Sequence, residues 1–261
     1  MTDHDQSASA PGAEQPNVDD SDTVTVWRSV SQGELDGAAS SGWRAWPLRL
    51  PDQPIFSAVL DRQFAVKSCR ERIVPAEGVG YVARFDVPRR FLDRFEVFQG
   101  ADEREYRIPA TEMAELNDHI IGAIMEEADY RGPVDDAEFT EAEQRLGFPL
   151  PQTWQRYLLG ESWFRRGWLT RETYIWLNTP RETLGLHEAW DETADVHPGI
   201  AIIGGDGSRE QLVLDLRKDP APVLLLDTTS AGWETGIQQA GDVSQLIDRI
   251  ESGEFEFSFD D

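Results

Sequence analysis

The sequence predicts an α+β fold in two units, and three observations carry that expectation. Strict alternation, as at Tyr81, Ala83, Phe85 and Val87 in YVARFDVP, is the period of a strand with one buried face. Helical spacing, as at Phe139, Ala142 and Leu146, is the period of an amphipathic helix. A Gly132-Pro133 turn separates two such mixed sets of segments. Residues 1–22 are then expected to be a disordered acidic tail, 23–131 an N-terminal α+β domain, and 132–261 a C-terminal domain with an antiparallel sheet flanked by helices.

Along the chain, VTVWRSV from Val24 predicts a short strand, and Gly42, Pro47, Pro51 and Pro54 mark a loop-rich stretch after it. Val59, Leu60, Phe64 and Ala65 place a helix over 59–72. Pro88 closes the YVARFDVP strand, because proline donates nothing to a ladder; EYRIPA follows as a strand and 112–124 as a helix. The helix over 138–146 should stop at Gly147, and Pro151 suits the first turn of the next, which buries Trp154, Tyr157 and Leu158. Strands are expected at 173–177, 200–203, 211–216 and 223–226, the middle ones antiparallel. Asp242 and Gln245 can form a capping box for a last helix with Val243, Leu246, Ile247 and Ile250 as its apolar stripe.

Composition narrows the functions. No run approaches the roughly eighteen apolar residues that cross a bilayer, and MTDHDQSASA lacks the basic and apolar regions of a signal peptide, so a cytoplasmic protein without a membrane partner is expected. The net charge is −25, and residues 128–261, with 26 acids against 11 bases, hold −15 of it. Such a field repels nucleic acid and speeds encounter with a basic protein, although a host whose proteins are all acidic would give the same composition. Cys69 is the single cysteine, which excludes an internal disulfide and fits a small buried hydrophobe. His119, His187 and His197 show no ligand spacing, and no nucleophile has a base beside it in sequence, so no metal site is expected.

Two segments carry a family resemblance. In EFTEAEQRLGFPLPQTWQRYLL a helix ends at Leu146-Gly147, Leu150-Pro151 starts the next, and Tyr157 follows within a turn. In DVHPGIAIIGGDGSREQLVLDLR, Pro198-Gly199 precedes a strand, Asp206-Gly207 makes a turn, and Asp215 sits near the end of the next strand, before APVLLLD. The C-terminal half thereby resembles the Smi1/Knr4 (SUKH) family, many of whose bacterial members are immunity proteins. The resemblance implies a non-enzymatic, protein-binding role: an immunity protein of a toxin-antitoxin pair, with a basic toxin as partner. Gly205, Asp206 and Gly207 then form a structural turn, the glycines permitting positive φ and Asp206 bonding its own backbone; the ligand spacing of a calcium loop is absent. The run GESWFRRGW departs from the family pattern, and Trp163, Arg165, Arg166 and Trp168 within it are the candidate partner contacts.

The N-terminal half resembles ADP-ribosyltransferase-like domains more faintly. VWRSV offers Arg28 in the place of the residue that holds NAD, PIFSAVLDRQFAVKSC offers Ser57, and EREYRIPA offers Glu103 and Glu105 as the carboxylate that stabilises positive charge as nicotinamide leaves. A Ser-Thr-Ser type run is missing. An NAD-using effector whose C-terminal half recruits its target is therefore the alternative to the binding protein.

Overall fold

The computed structural model describes residues 22–48, 53–100, 104–189, 193–227 and 229–259. The expected tail, apart from Asp22, and Glu103 lie outside the described residues. Among the described residues the chain is a mixed α and β structure built on one large antiparallel sheet of twelve strands, in the order β12-β11-β10-β9-β8-β7-β6-β3-β1-β2-β5-β4.

In the N-terminal half the elements are β1 (Thr23–Val30), α1 (Gln32–Ser40), β2 (Ile55–Val59), α2 (Arg62–Ser68), a π turn over Cys69–Ile73, α3 (Val74–Glu77), β3 (Val79–Pro88), α4 (Arg89–Leu92), β4 (Val97–Gln99), β5 (Arg104–Pro109), α5 (Met113–Asp118) and β6 (Ile121–Arg131). The strand pattern read at Tyr81, Ala83, Phe85 and Val87 is what the fold uses: all four enter a core with Trp46, Phe56 and Phe91, while Val82 points to the opposite face. Gly80 is required on β3, because a Cβ there would stand 2.7 Å from Cys69 Sγ in the π turn.

Three N-terminal expectations need correction. The loop-rich stretch contains α1, which Ser31 caps by accepting from the Glu34 amide. Gly33 and Gly37 disguised it, and Gly37 lies so close to Pro47 that a Cβ would be 2.9 Å from Cγ. The helix expected from Val59 starts only at Arg62, where the Asp61 carboxylate caps the Phe64 amide, and Val59 ends strand β2. The helix over 112–124 stops at Asp118; Gly122 takes φ +73° and β6 begins at Ile121. Register shifts against β3 at Val82/Ala83 and Arg84/Asp86 broke the two-residue period that would have announced β6.

The C-terminal half runs α6 (Asp136–Leu146), α7 (Gln152–Leu158), β7 (Trp163–Trp168), β8 (Tyr174–Leu177), α8 (Pro180–Ala189), α9 (Thr193–Val196), β9 (Ile200–Gly205), β10 (Glu210–Asp215), β11 (Val223–Asp227), β12 (Ile237–Ala240) and α10 (Val243–Ser252). Gly147 ends α6 in the left-handed region, and Asp242 caps α10 through the Gln245 amide at 2.9 Å. β9, β10 and β11 pair antiparallel as expected. The two halves share the sheet: β6 pairs with β7 across the Gly132-Pro133 link. They also share a core, in which Ala65, Cys69 and Val82 join Trp154, Leu158 and Leu246 on one face. No helix among the described residues is long and apolar enough to cross a membrane.

The opposite face can be followed strand by strand. Residues directly opposite in an antiparallel ladder share a face, and the register links Val30, Tyr81, Asp129, Arg166, Trp176, Gly205, Gln211 and Leu226 in one row. Its ends are apolar, in a core around Phe85 at one end and one around Val213 at the other. Its middle is polar.

Candidate functional site

Two places collect the candidate residues. The first is where β1 and β2 part. These strands pair at Trp27 opposite Val59, whereas β2 pairs with β5 along its whole length. Arg28 bridges the parting: Nη1 donates to the Ser57 carbonyl at 3.0 Å, Nη2 donates to Glu34 at 2.8 Å, and the guanidinium lies 4.3 Å from the centre of the Phe56 ring. Ser57 thus contributes its backbone oxygen to Arg28. Glu105 is buried, and Arg107 donates to it at 2.6 Å.

Arg28, Ser57 and Glu105 line one cavity of about 400 Å³, whose other wall is α2 and the π turn. Sequence reasoning therefore chose three residues that the fold brings together. It missed Glu34, whose signal was the Ser31-to-Glu34 spacing of a capping box. Glu34 matters electrostatically. Among the described residues the lining holds carboxylates of Glu34, Glu77 and Glu105 against guanidiniums of Arg28 and Arg72, an excess of one negative charge. A pyrophosphate brought here would compete with Glu34 for Arg28 and face that excess, which weighs against NAD.

The second place is β7 and β8. The expected loop GESWFRRGW is largely strand β7, and its four candidate residues separate. Trp163 is 1 % exposed, with its indole N–H donating to the Gly132 carbonyl at 2.8 Å, so it is a core residue and not a surface contact. Arg165 falls in the bulge between the Asp129–Arg166 and Tyr130–Phe164 pairs, donates to the Leu177 carbonyl and pairs with Glu182 at 2.7 Å. Arg166 and Trp168 stay on the polar face. Trp168 is 36 % exposed and meets the Tyr174 ring edge-on at 5.3 Å, and Arg166 lies opposite Trp176. Gly167 between them is required by close approach: a Cβ would stand 2.3 Å from the Glu127 carbonyl. The aromatic and β-prone composition of WFRRGW was the available signal for this strand.

Beside this patch lies a buried polar group. Asp129 is fully buried, accepts from Arg131 at 2.7 Å and pairs with Arg166 at 3.4 Å, yet its Oδ1 has no hydrogen-bond partner among the described residues. Burial raises its carboxyl above the usual carboxylate range despite the Arg131 bond. Burial likewise raises Glu126, against the pull of Arg166. Trp176 Nε1 and Gln211 Oε1 in the same row also lack partners among the described residues.

The turn residues behave as architecture, with one correction. Gly207 takes φ +84°, and Asp206 Oδ1 accepts from the Ser208 and Glu210 amides at 2.8 and 3.2 Å. Gly205, expected to need positive φ, needs space instead: its Cβ would approach the Glu210 carbonyl to 2.6 Å. Asp215 is buried; burial pushes its carboxyl up, but hydrogen bonds from Arg217 and Lys218 outweigh that and hold it below the usual range. Cys69 is buried and its thiol is pushed up to about 12, chiefly by burial, so it is inert.

Among the described residues no group of three or more His, Cys, Asp or Glu could hold a metal ion. The fold does bring His197 Nε2 within 3.1 Å of Ser230 Oγ, a pair invisible in the sequence, but no carboxylate among the described residues hydrogen-bonds the imidazole to orient it as a base. A scan against protein-family models finds no match for this chain, and a search of curated proteins finds none either.

Proposed function

We propose that this chain is a non-enzymatic, cytoplasmic protein-binding protein of the Smi1/Knr4 (SUKH) type in its C-terminal half, acting as the immunity protein of a bacterial toxin. The order of elements in 132–261 supports it. Two helices precede the strands, Leu146-Gly147 and Leu150-Pro151 bracket the joint between those helices, and Asp206-Gly207 turns β9 into β10. The observation that carries the binding role is the arginine and aromatic patch of Arg166, Trp168, Tyr174 and Trp176, of which Trp168 is exposed and the others half-buried, on a sheet face whose middle is polar. Such side chains supply large, rigid contact area and are common interface anchors. The acidity of residues 128–261 would steer a basic partner toward it.

Co-expression with toxins encoded beside its gene tests this. The chain should protect the host and copurify with one of them, and Arg166→Ala with Trp168→Ala should weaken the complex by at least about tenfold, roughly 1.4 kcal/mol, without unfolding the protein. Absence of protection and of a complex would refute the immunity role.

The second reading, an NAD-using ADP-ribosyltransferase-like effector, is favoured by the shared cavity of Arg28, Ser57 and Glu105 and opposed by that cavity's negative excess. NAD turnover by the wild type, lost in Glu105→Gln, would establish it; no turnover, or equal turnover in the variant, would remove it.

A further inference from the structure

A second cavity, of about 290 Å³, opens on the seam between the halves and takes walls from α2, β3, β6 and the β7–β8 turn. Its charge runs against the rest of the molecule. Three guanidiniums, Arg62, Arg84 and Arg171, face the carboxylates of Glu126 and Glu127, leaving one positive charge in a chain of net −25.

The cations are held by construction. Glu127, 8 % exposed, accepts from Arg62 Nε at 2.5 Å and from the Trp27 indole at 3.2 Å, and pairs with Arg84 at 3.5 Å. Arg62 also donates to the Trp168 carbonyl at 3.2 Å. One buried carboxylate thus fixes two arginines, Arg84 Nη2 also meets Met125 Sδ at 3.4 Å, and the remaining N–H groups of both are left for a ligand. Arg171 has no hydrogen-bond or ion-pair partner among the described residues. Glu126 is itself engaged by Arg166, whose Nη2 donates to it at 3.1 Å, so its charge beside the cavity is partly offset. The remaining wall is apolar and open: Met125 is 40 % exposed and Trp168 36 %.

We infer that this cavity binds an organic carboxylate with an apolar or aromatic body, the carboxylate against Arg84 and Arg171 and the body against Met125 and Trp168. Charge and size select that class. A single excess positive charge matches a monoanion, whereas a phosphate ester carries about two negative charges at neutral pH. The volume is at the low end of small-molecule pockets, which suits a compact acid. A guanidinium offers the planar fork that a carboxylate accepts, and Trp168 and Met125 offer the surface its body would cover. The cavity stands whether or not the β7–β8 face binds a protein.

Saturation-transfer NMR on the full chain, with 3-phenylpropionate as probe, tests this. The acid should bind saturably, its uncharged amide about tenfold more weakly, and Arg171→Ala and Arg84→Gln should each weaken the acid several-fold. Arg171 is exposed and has no partner among the described residues, so its variant should unfold at the wild-type temperature; Arg84→Gln leaves Glu127 paired to Arg62. Equal binding of acid and amide, binding of inorganic phosphate in preference to the acid, no saturable binding, or unchanged affinity in Arg171→Ala would each overturn the assignment.

Discussion

The cleft between β1 and β2 and the face of β7 and β8 handle polar side chains in opposite ways. At the cleft the strands part, and the polar groups turn inward: Arg28 takes the Ser57 carbonyl and Glu34 as partners across the gap. At β7 and β8 the strands pair without a break, Trp168 is exposed, and Arg166 is half-buried beside it, paired with Glu126. A parted sheet spends its side chains on holding itself together. A continuous sheet releases them for recognition, which is why the proposed binding surface lies on β7 and β8.

The largest expected effect that would break this contrast is at Asp129, where inward and outward behaviour meet. Asp129→Ala removes a buried carboxylate that accepts from Arg131 and pairs with Arg166, both of which remain partly solvated without it, so urea unfolding should show a loss of about 3 kcal/mol. Next is Arg28→Met, which keeps volume over Phe56 but abandons the bonds to Ser57 and Glu34. A loss of about 2 kcal/mol is expected, with faster amide exchange confined to β1 and β2. A loss as small as that of a surface arginine would mean that the parting is not held by Arg28.

Two buried aspartates sharpen the comparison through pH. Asp129 has a raised pKa in the folded state, so the native form holds protons that the unfolded chain has released. Its contribution is present below the usual range near 4 and is lost as pH rises through the folded value. Asp215 has a lowered pKa, so its contribution is present above that range and is lost as pH falls through the folded value. Denaturation midpoints across pH 3 to 8 should therefore respond in opposite senses, Asp129→Asn flattening the loss on the alkaline side and Asp215→Asn the loss on the acid side. The smallest effect is expected at the β9–β10 turn, where Gly207→Ala at φ +84° should cost about 1 kcal/mol and leave the partner surface intact.

Legibility in the sequence followed the same division. Elements whose apolar pattern answers to one neighbour, such as β3, α6 and α10, were readable from period and caps. Elements defined by what lies opposite them were not. β6 lost its alternation to register shifts against β3, and β7 looked like a loop because two arginines and a glycine interrupt its apolar residues, although Gly167 is there to admit the Glu127 carbonyl. The sites show the same limit. Arg28, Ser57 and Glu105 were found through a resemblance, but Glu34, which changes the charge of their cavity, comes from a helix hidden by its glycines. Arg166 and Trp168 were separated from Trp163 only by the strand that orients them. The arginine cavity at the seam draws on segments more than a hundred residues apart, and no local pattern announces it.

The ladder between β6 and β7 gives the Gly132-Pro133 link an unusual standing. A cut there would sever the chain without severing the sheet, and the two pieces would remain joined by backbone hydrogen bonds and a common core. Made separately, each piece would instead carry a bare edge strand and half of a hydrophobic interior, the state that invites aggregation. The halves are therefore complementary fragments, each the template that completes the other.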